Sequence, residues 1–303
     1  MRLRIPLAAA TAAALLAGCG GGGADPSGTE PPPAGAGFPV TVGDVTLQSR
    51  PTAIISLSPT ATEMLFAIGA GEQVVAVDEF SNHPPEAPTT DLSGFTPNVE
   101  AIASYDPDLV MISYDPGDLA AQLAALEIPV HTVPDNPTDM AQIYAQVVDL
   151  GKLTGQTGGA AALVSRMADD IDKLVADAPP RDRPLTYYIE IDNNLFTYTS
   201  QSLVSSLLGM VGLENIAVSD DPAQVTTQLS AEVVVDADPD VIFLTNAQFG
   251  ESVQTVSARD GWDGITAVRD GHIVELSPDI ASRWGPRVVD LLREVVDAVS
   301  QVS

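Results

Sequence analysis

The residues best placed to do chemistry in this sequence come as a duplicated pair. Glu100 stands six residues before Asp106-Pro107-Asp108, and Glu232 stands six residues before Asp238-Pro239-Asp240. An apolar run follows each turn, at 109–112 and 241–244. The repeated phrase reads as a short helix, a proline-forced stop and a strand that is apolar throughout, as strands covered on both faces are. The two glutamates lie 132 positions apart, the scale of one small domain. Two similar α/β lobes, each offering one carboxylate near a helix start, suggest a ligand cleft between them. They also suggest a partner with matching two-fold symmetry.

The remaining reactive residues are few. Three histidines, His83, His131 and His272, together with a carboxylate would suit a bare Zn²⁺ or Mn²⁺ ion. His131 falls in a predicted strand, His272 in an Asp-Gly-His turn, and no two share helical ligand spacing, so no metal site is assigned. His83, on a predicted loop, is kept as a contact for a haem iron or corrin cobalt, and Tyr114 or Tyr198 for a haem iron. The chain has no Gly-x-Ser-x-Gly elbow, no phosphate-cradling Gly-Lys-Ser/Thr loop and no His-Glu-x-x-His helix. Its one cysteine, Cys19, lies near the N-terminus. This inventory favours binding without covalent chemistry or a resident cofactor over a lipid-anchored α/β enzyme or an adhesive lipoprotein.

The elements that must position these residues alternate at short spacing. In the first part they are strand 53–56, helix 59–68 with Ser58 as N-cap, strand 74–77, helix 99–104, strand 109–112, helix 118–126 and strand 130–133. Residues 137–177 carry hardly a turn signal except near 154–159. The apolar residues Leu163, Val164, Met167, Ile171, Leu174 and Val175 fit one long amphipathic helix ending at Pro179-Pro180. The alternation then resumes, with strand 187–191, helices 202–210 and 231–236, strand 241–244, strand 273–276 and a closing helix 286–302. The expected fold is α/β, with two similar lobes that have parallel sheets flanked by helices and are joined by one long helix. The expected segments are 1–18 signal peptide, 19–37 tether, 38–158 first lobe, 159–180 bridging helix and 181–303 second lobe.

The N-terminus indicates location. Arg2 and Arg4 precede a short apolar run, then Leu16-Ala17-Gly18-Cys19. This is a secretory signal peptide whose ending resembles a bacterial lipobox, which implies that Cys19 is lipidated and becomes the first residue. The apolar run is too short to span a bilayer. The expected protein is therefore extracytoplasmic, held to the membrane by its lipid alone, and monomeric. The Gly/Pro-rich stretch that follows reads as a flexible tether. Without Arg2 and Arg4, the 13 basic side chains fall to 11 against 41 acidic ones, a formal charge of −30. Nucleic acid, which needs a basic face, is excluded as a partner.

In open α/β sheets ligands sit beyond the carboxyl ends of the strands. Residues that follow predicted strands are the cleft candidates: Ser58, Phe80, His83, Tyr114, Asp192, Asn193, Asn194 and Phe249. Phe95, Phe196, Tyr198 and Trp284 also fall in predicted loops, although aromatic residues make up only 5% of the chain. Such rings suit a large planar or greasy ligand. Asp279 and Arg283 either face that ligand as a pair or brace the last helix. Asp192-Asn193-Asn194 either offers hydrogen bonds to amides or hydroxamates or forms a turn.

With these elements placed, the sequence resembles the substrate-binding proteins of iron-siderophore and cobalamin ABC importers, whose two lobes are joined by a long helix. The resemblance rests on Ser56-Leu-Ser-Pro-Thr-Ala-Thr-Glu63, Phe80-Ser-Asn-His-Pro-Pro85, and Pro97-Asn-Val-Glu100 with Asp106-Pro-Asp108. It also rests on Gln228-Leu-Ser-Ala-Glu232 with Asp238-Pro-Asp240, and on Trp284-Gly-Pro-Arg287. It implies that Glu100 and Glu232 dock into arginine pockets on a two-fold symmetric permease, for which a bidentate guanidinium match is apt. It also implies a metal-chelate cargo. With only two lysines, Lys152 and Lys173, a tri-anionic catecholate chelate is disfavoured. The corrinoid-binding branch commonly carries tyrosine or tryptophan where this sequence has His83 and Phe95. The expectation is therefore a hydroxamate-type iron chelate first and a corrinoid as the alternative, ahead of haem or a free divalent metal.

Overall fold

The computed structural model describes residues 37–300 and Val302. The signal segment, Cys19 and the tether up to residue 36 lie outside the described residues. The chain opens with a hairpin of β1 (Val40–Val42) and β2 (Val45–Leu47). It continues through β3 (Ile54–Leu57), α1 (Pro59–Ala67), β4 (Val74–Val77), α2 (Val99–Ala103), β5 (Leu109–Ile112), α3 (Leu119–Ala124) and β6 (Val130–Thr132). These strands form a parallel sheet in the order β4-β3-β5-β6.

Two helices follow, α4 (Met140–Thr154) and α5 (Thr157–Asp177). The break between them is Gly155, which ends α4 in the left-handed conformation at φ 70°, where a side chain would be strained. Beyond α5 come β7 (Leu185–Glu190), β8 (Phe196–Tyr198), α6 (Leu203–Met210), β9 (Leu213–Asn215), β10 (Thr226–Gln228), α7 (Ala231–Ala237) and β11 (Val241–Leu244). The chain ends through α8 (Val253–Ser257), α9 (Thr266–Arg269), β12 (Ile273–Glu275), α10 (Pro278–Ala281) and α11 (Val288–Val299). The second parallel sheet has the order β12-β11-β7-β9. When strands are matched by position in the chain, this is the same order as in the first sheet.

The duplicated phrase explains much of that sameness. Asp108 accepts from the backbone N–H groups of Thr52 (2.8 Å) and Ala53 (3.1 Å) at the start of β3, while its own N–H donates to Ala53 O. Asp240 accepts from Thr186 N (2.8 Å) near the start of β7, and its N–H donates to Thr186 O. Each second aspartate thus ties the start of one central strand to the start of its neighbour. The first aspartates, Asp106 and Asp238, take positive φ (51° and 45°), which Asp tolerates better than most residues. Strands β3, β5 and β11 are buried at every position, as their unbroken apolar runs require.

One apolar cluster joins the inner faces of both sheets through Leu163, Met167 and Ile171 of α5 and Leu291, Leu292 and Val295 of α11. Separate clusters cover the outer faces. Three differences from the sequence reading bear on the site. Phe196 and Tyr198 lie in a strand, β8, which pairs with β10 in antiparallel fashion, not in a loop. The closing helix starts at Val288, leaving residues 282–287 as an irregular lead-in of turns and bends. The connection between the sheets contains two helices, of which α5 is the longer.

Candidate functional site

The carboxyl edge of the first sheet carries three exposed rings in contact. Phe80, in the loop after β4, meets Phe95 edge-on at 5.4 Å between centroids, and Phe95 meets Tyr114, just past β5, at 5.5 Å. They are 46%, 61% and 38% exposed, so this wall is apolar and open to solvent. Beneath it lies a buried polar network. Asp78 accepts from Ser81 Oγ at 2.6 Å, and Thr62 Oγ1 lies 2.9 Å from Ser56 Oγ and 3.0 Å from Ser81 Oγ. Burial pushes the Asp78 carboxyl above its ordinary pKa, and the hydrogen bond from Ser81 opposes that rise. The loop bearing Phe95 passes so close to β3 that a side chain at Gly94 would place its Cβ 2.6 Å from the Leu57 carbonyl oxygen.

The matching edge of the second sheet is built from charge. Glu190, wholly buried at the end of β7, takes a two-pronged ion pair from Arg259, with Nη1 2.6 Å from Oε2 and Nη2 2.7 Å from Oε1. Arg259 also donates to Glu251 at 3.0 Å and lies 4.6 Å from the Trp262 ring centre. Asn246, buried just past β11, donates to Glu190 Oε1 at 2.8 Å. Above this group Asn193 and Asn194 are exposed, as are Phe196 and Phe249.

The lead-in to α11 crosses between the two edges. Arg283 donates from Nη1 to Asn82 Oδ1 (2.6 Å) and from Nη2 to Phe80 O (3.1 Å), and it pairs with Asp279 Oδ1 at 2.9 Å. Asn82 Nδ2 returns a bond to Asp279 Oδ2 at 3.2 Å. Arg287 grips Glu63 of α1 through both carboxylate oxygens, Nε lying 2.9 Å from Oε2 and Nη2 reaching Oε1.

The predicted cleft residues are therefore dispersed. Phe80, Phe95 and Tyr114 come together. Ser58 is a correction: its hydroxyl is buried, accepts from Ala61 N as the cap of α1 and from Ser113 Oγ at 2.6 Å, and faces no open space. Asp192 is also committed locally, accepting from the backbone N–H groups of Asn194 and Phe196 in a side-chain turn. His83 stands apart from the rings, in a hollow of about 240 Å³ that it shares with Glu63, Phe66, Glu86 and Arg287. Tyr198 and Trp284 pack edge-on at 5.8 Å. Together they line a cavity of about 230 Å³ with Asp135 and Asn136 of the first half and Ser202 and Thr226 of the second. Burial raises the Tyr198 phenol to about 12, and its hydroxyl donates to Ala281 O.

Arg283 and Asp279 do pair, but the arginine is spent on protein groups of both halves. His131 sits on β6, where burial lowers its pKa, and His272 Nδ1 lies 3.3 Å from Asp240 O. Among the described residues no group of three or more His, Cys, Asp or Glu side chains is placed to hold a metal ion. Glu100 and Glu232 are both exposed, each the second residue of its helix behind a side-chain cap, Asn98 and Ser230 respectively.

The sequence reading missed Glu63, Glu190 and Arg259, whereas Asn82 and Asn246 lie in the stretches 78–83 and 246–249 that follow predicted strands and count with the cleft. A signal existed for Glu63, a lone acid inside the apolar run of α1, where burial demands a partner. No helix among the described residues is long and apolar enough to cross a membrane.

Residues 54–280 match the family described as periplasmic binding protein. The ABC transporter substrate-binding lipoprotein YvrC of Bacillus subtilis is 30% identical over 276 residues, with 86% of each chain covered. The cobalamin-binding protein of Halobacterium salinarum is 28% identical over 277 residues, covering 86% of this chain and 74% of that protein. Among solved structures, a possible iron-binding periplasmic solute-binding protein from Staphylococcus epidermidis superposes with a TM-score of 0.72 at 23% identity. That match covers 82% of this chain and 99% of the other.

Proposed function

This chain belongs to the periplasmic binding protein family, and we propose that, as the substrate-binding protein of an ABC importer, it captures a bulky corrinoid and delivers it to the permease. The observation that carries the cargo reading is the wall of Phe80, Phe95 and Tyr114. It offers a large macrocycle exposed ring faces and edges in contact, and the cation beside it, Arg283, is engaged through both terminal nitrogens by protein groups. The likeness to a cobalamin-binding protein over most of the chain tilts the reading from an iron chelate to a corrinoid. A ferric hydroxamate is the second reading, favoured by the exposed carboxamides of Asn193 and Asn194.

The test is a thermal-shift panel on the domain after the tether, with cyanocobalamin, cobinamide, ferric hydroxamates, haem and Zn²⁺. A ligand bound only by the folded state raises the melting temperature by mass action. A rise with the corrinoids is expected. A rise with ferric hydroxamates alone moves the assignment to the second reading, and no rise with any chelate overturns both.

Docking falls to Glu100 and Glu232, exposed in matching first turns where a carboxylate is favoured and free to meet a guanidinium. Replacing both by arginine is expected to abolish uptake while leaving cargo affinity unchanged; retained uptake would remove the docking role. The two sheets act as two lobes, and the cargo is held with little movement because helices connect them. Cys19 carries the lipid anchor, so Cys19→Ser should release the protein from the membrane fraction.

A further inference from the structure

Arg283 was expected either to meet the ligand or to brace the last helix, yet its partners describe a different task. Its side chain is only 11% exposed. Both terminal nitrogens are engaged: Nη1 by Asn82 Oδ1, and Nη2 by Phe80 O and Asp279 Oδ1. With Asn82 Nδ2 returning to Asp279 Oδ2, the three side chains close a ring of hydrogen bonds across about 200 positions of sequence. Glu63 adds a carboxylate 3.8 Å from Nη1, and its main partner, Arg287, fixes the same lead-in four residues further on. Among the described residues, the backbone group of the first half that Arg283 holds is the carbonyl of Phe80, whose ring starts the aromatic wall.

We propose that Arg283 is a positioning residue for the aromatic wall: from the second half it holds the main chain of Phe80 and the side chain of Asn82, setting where the wall stands in the cleft. The proposal rests on the reading above that the wall meets the cargo. It differs from a plain brace because the 78–92 loop already supports its own fold. Glu79 N donates to Leu92 O, Thr90 N to Val77 O and Ser81 Oγ to Asp78. Loss of Arg283 therefore leaves the loop folded but unplaced. The connection also makes the position of Phe80 depend on the relation between the two halves, so closure on a cargo and placement of the wall are one event.

The test uses R283Q, with R283K as the conservative variant. In hydrogen–deuterium exchange on the cargo-free protein, R283Q should speed exchange several-fold in peptides covering 79–83 and leave α11 unchanged. R283K, which keeps the charge and can reach one of the two first-half oxygens, should recover part of that protection. Unchanged exchange at 79–83, or an equal rise throughout the chain, overturns the proposal. In titration with cyanocobalamin, loss of hydrogen bonds from a charged group should weaken binding by about tenfold in R283Q. In a double-mutant cycle with Phe80→Ala, the double variant should bind no worse than the weaker single one, because both changes act through the same ring. Additive losses overturn the proposal. If the unaltered protein binds no cyanocobalamin, the cargo reading falls while the exchange measurement still decides the role of Arg283.

Discussion

The two halves share a strand order and an aspartate device yet finish their carboxyl edges in opposite ways. The first edge exposes three rings over a buried network of hydroxyls and Asp78. The second encloses an ion pair, Glu190 with Arg259, that is complete within its own half. The contrast extends to the buried carboxylate of α1. Glu63 belongs to the first half, but its arginines arrive from the lead-in to α11. On the proposed function, the duplicated parts would serve scaffold and docking, and the divergent edges the cargo. The first edge would supply the binding surface, and Arg283 in the lead-in to α11 would keep that surface in place.

The largest expected effect tests whether the second edge is self-contained. Arg259→Ala would strand the Glu190 carboxylate, which has no exposed surface, and breaking a buried pair costs about 3–5 kcal/mol. Arg287→Ala should cost less, because Arg283 remains 3.8 Å from Glu63 and can take over part of its pairing. Urea unfolding of the two variants measures both. A loss in Arg287→Ala equal to or above that in Arg259→Ala would break the comparison, since Glu63 would then depend on one partner as strictly as Glu190 does.

The next effect concerns binding. Phe95 touches both other rings of the wall, so Phe95→Ala should weaken cargo binding by about 1–2 kcal/mol, roughly tenfold. Its melting temperature should barely change, because the ring is 61% exposed. Phe249, 62% exposed at the second edge, has no ring partner among the described residues and should matter less when replaced by alanine. Isothermal titration of the two variants ranks the edges. Equal losses would mean that the cargo is sandwiched and not leaned on the first wall.

How far the sequence foretold this arrangement depended on the range of the interaction. Strands β4, β5 and β11 end where their apolar runs end, and Gly155 breaks the helices where the only turn signal of that region stands. Those features are set by neighbours in the chain. Strands β8 and β10 were not legible, because three residues with alternating exposure carry too little pattern to distinguish them from a loop. Phe196 and Tyr198 were misplaced for that reason. The aromatic wall was foreseeable as a set of rings beyond strands, although which rings would touch was not. The pairings Glu190–Arg259 and Asn82–Arg283 span 69 and 201 positions, and nothing local in the sequence marks either. Ser58 was legible as a helix cap, and that same role removes it from the cleft.

The smallest expected effect sharpens the one device that both halves retain. Asp108 and Asp240 tie strand starts in the same way, but only Asp240 also receives an arginine, with Arg183 lying 2.7 Å from each carboxylate oxygen. That contact, helped by the hydrogen bonds from Thr186 and opposed by partial burial, lowers the Asp240 carboxyl to about 2. A folded pKa below the unfolded one means that the unfolded chain binds more protons in the interval between them. Stability from Asp240 is therefore complete above about pH 4 and is lost as pH falls through about 2. Arg183 is largely solvent-exposed, so screening keeps the contribution modest, and Asp240→Asn should cost about 1 kcal/mol at pH 7. The variant should also lose stability less steeply than the unaltered protein between about pH 4 and 2. Asp108→Asn removes no ion pair, but its single amide oxygen can keep only one of the two bonds that separate carboxylate oxygens accept from Thr52 and Ala53, so its cost at pH 7 should be about that of Asp240→Asn. Urea midpoints of the three proteins across that interval separate the shared backbone tie from the added charge. If Asp240→Asn keeps the acid slope of the unaltered protein, the arginine is an ornament of the second half and the two devices are equivalent.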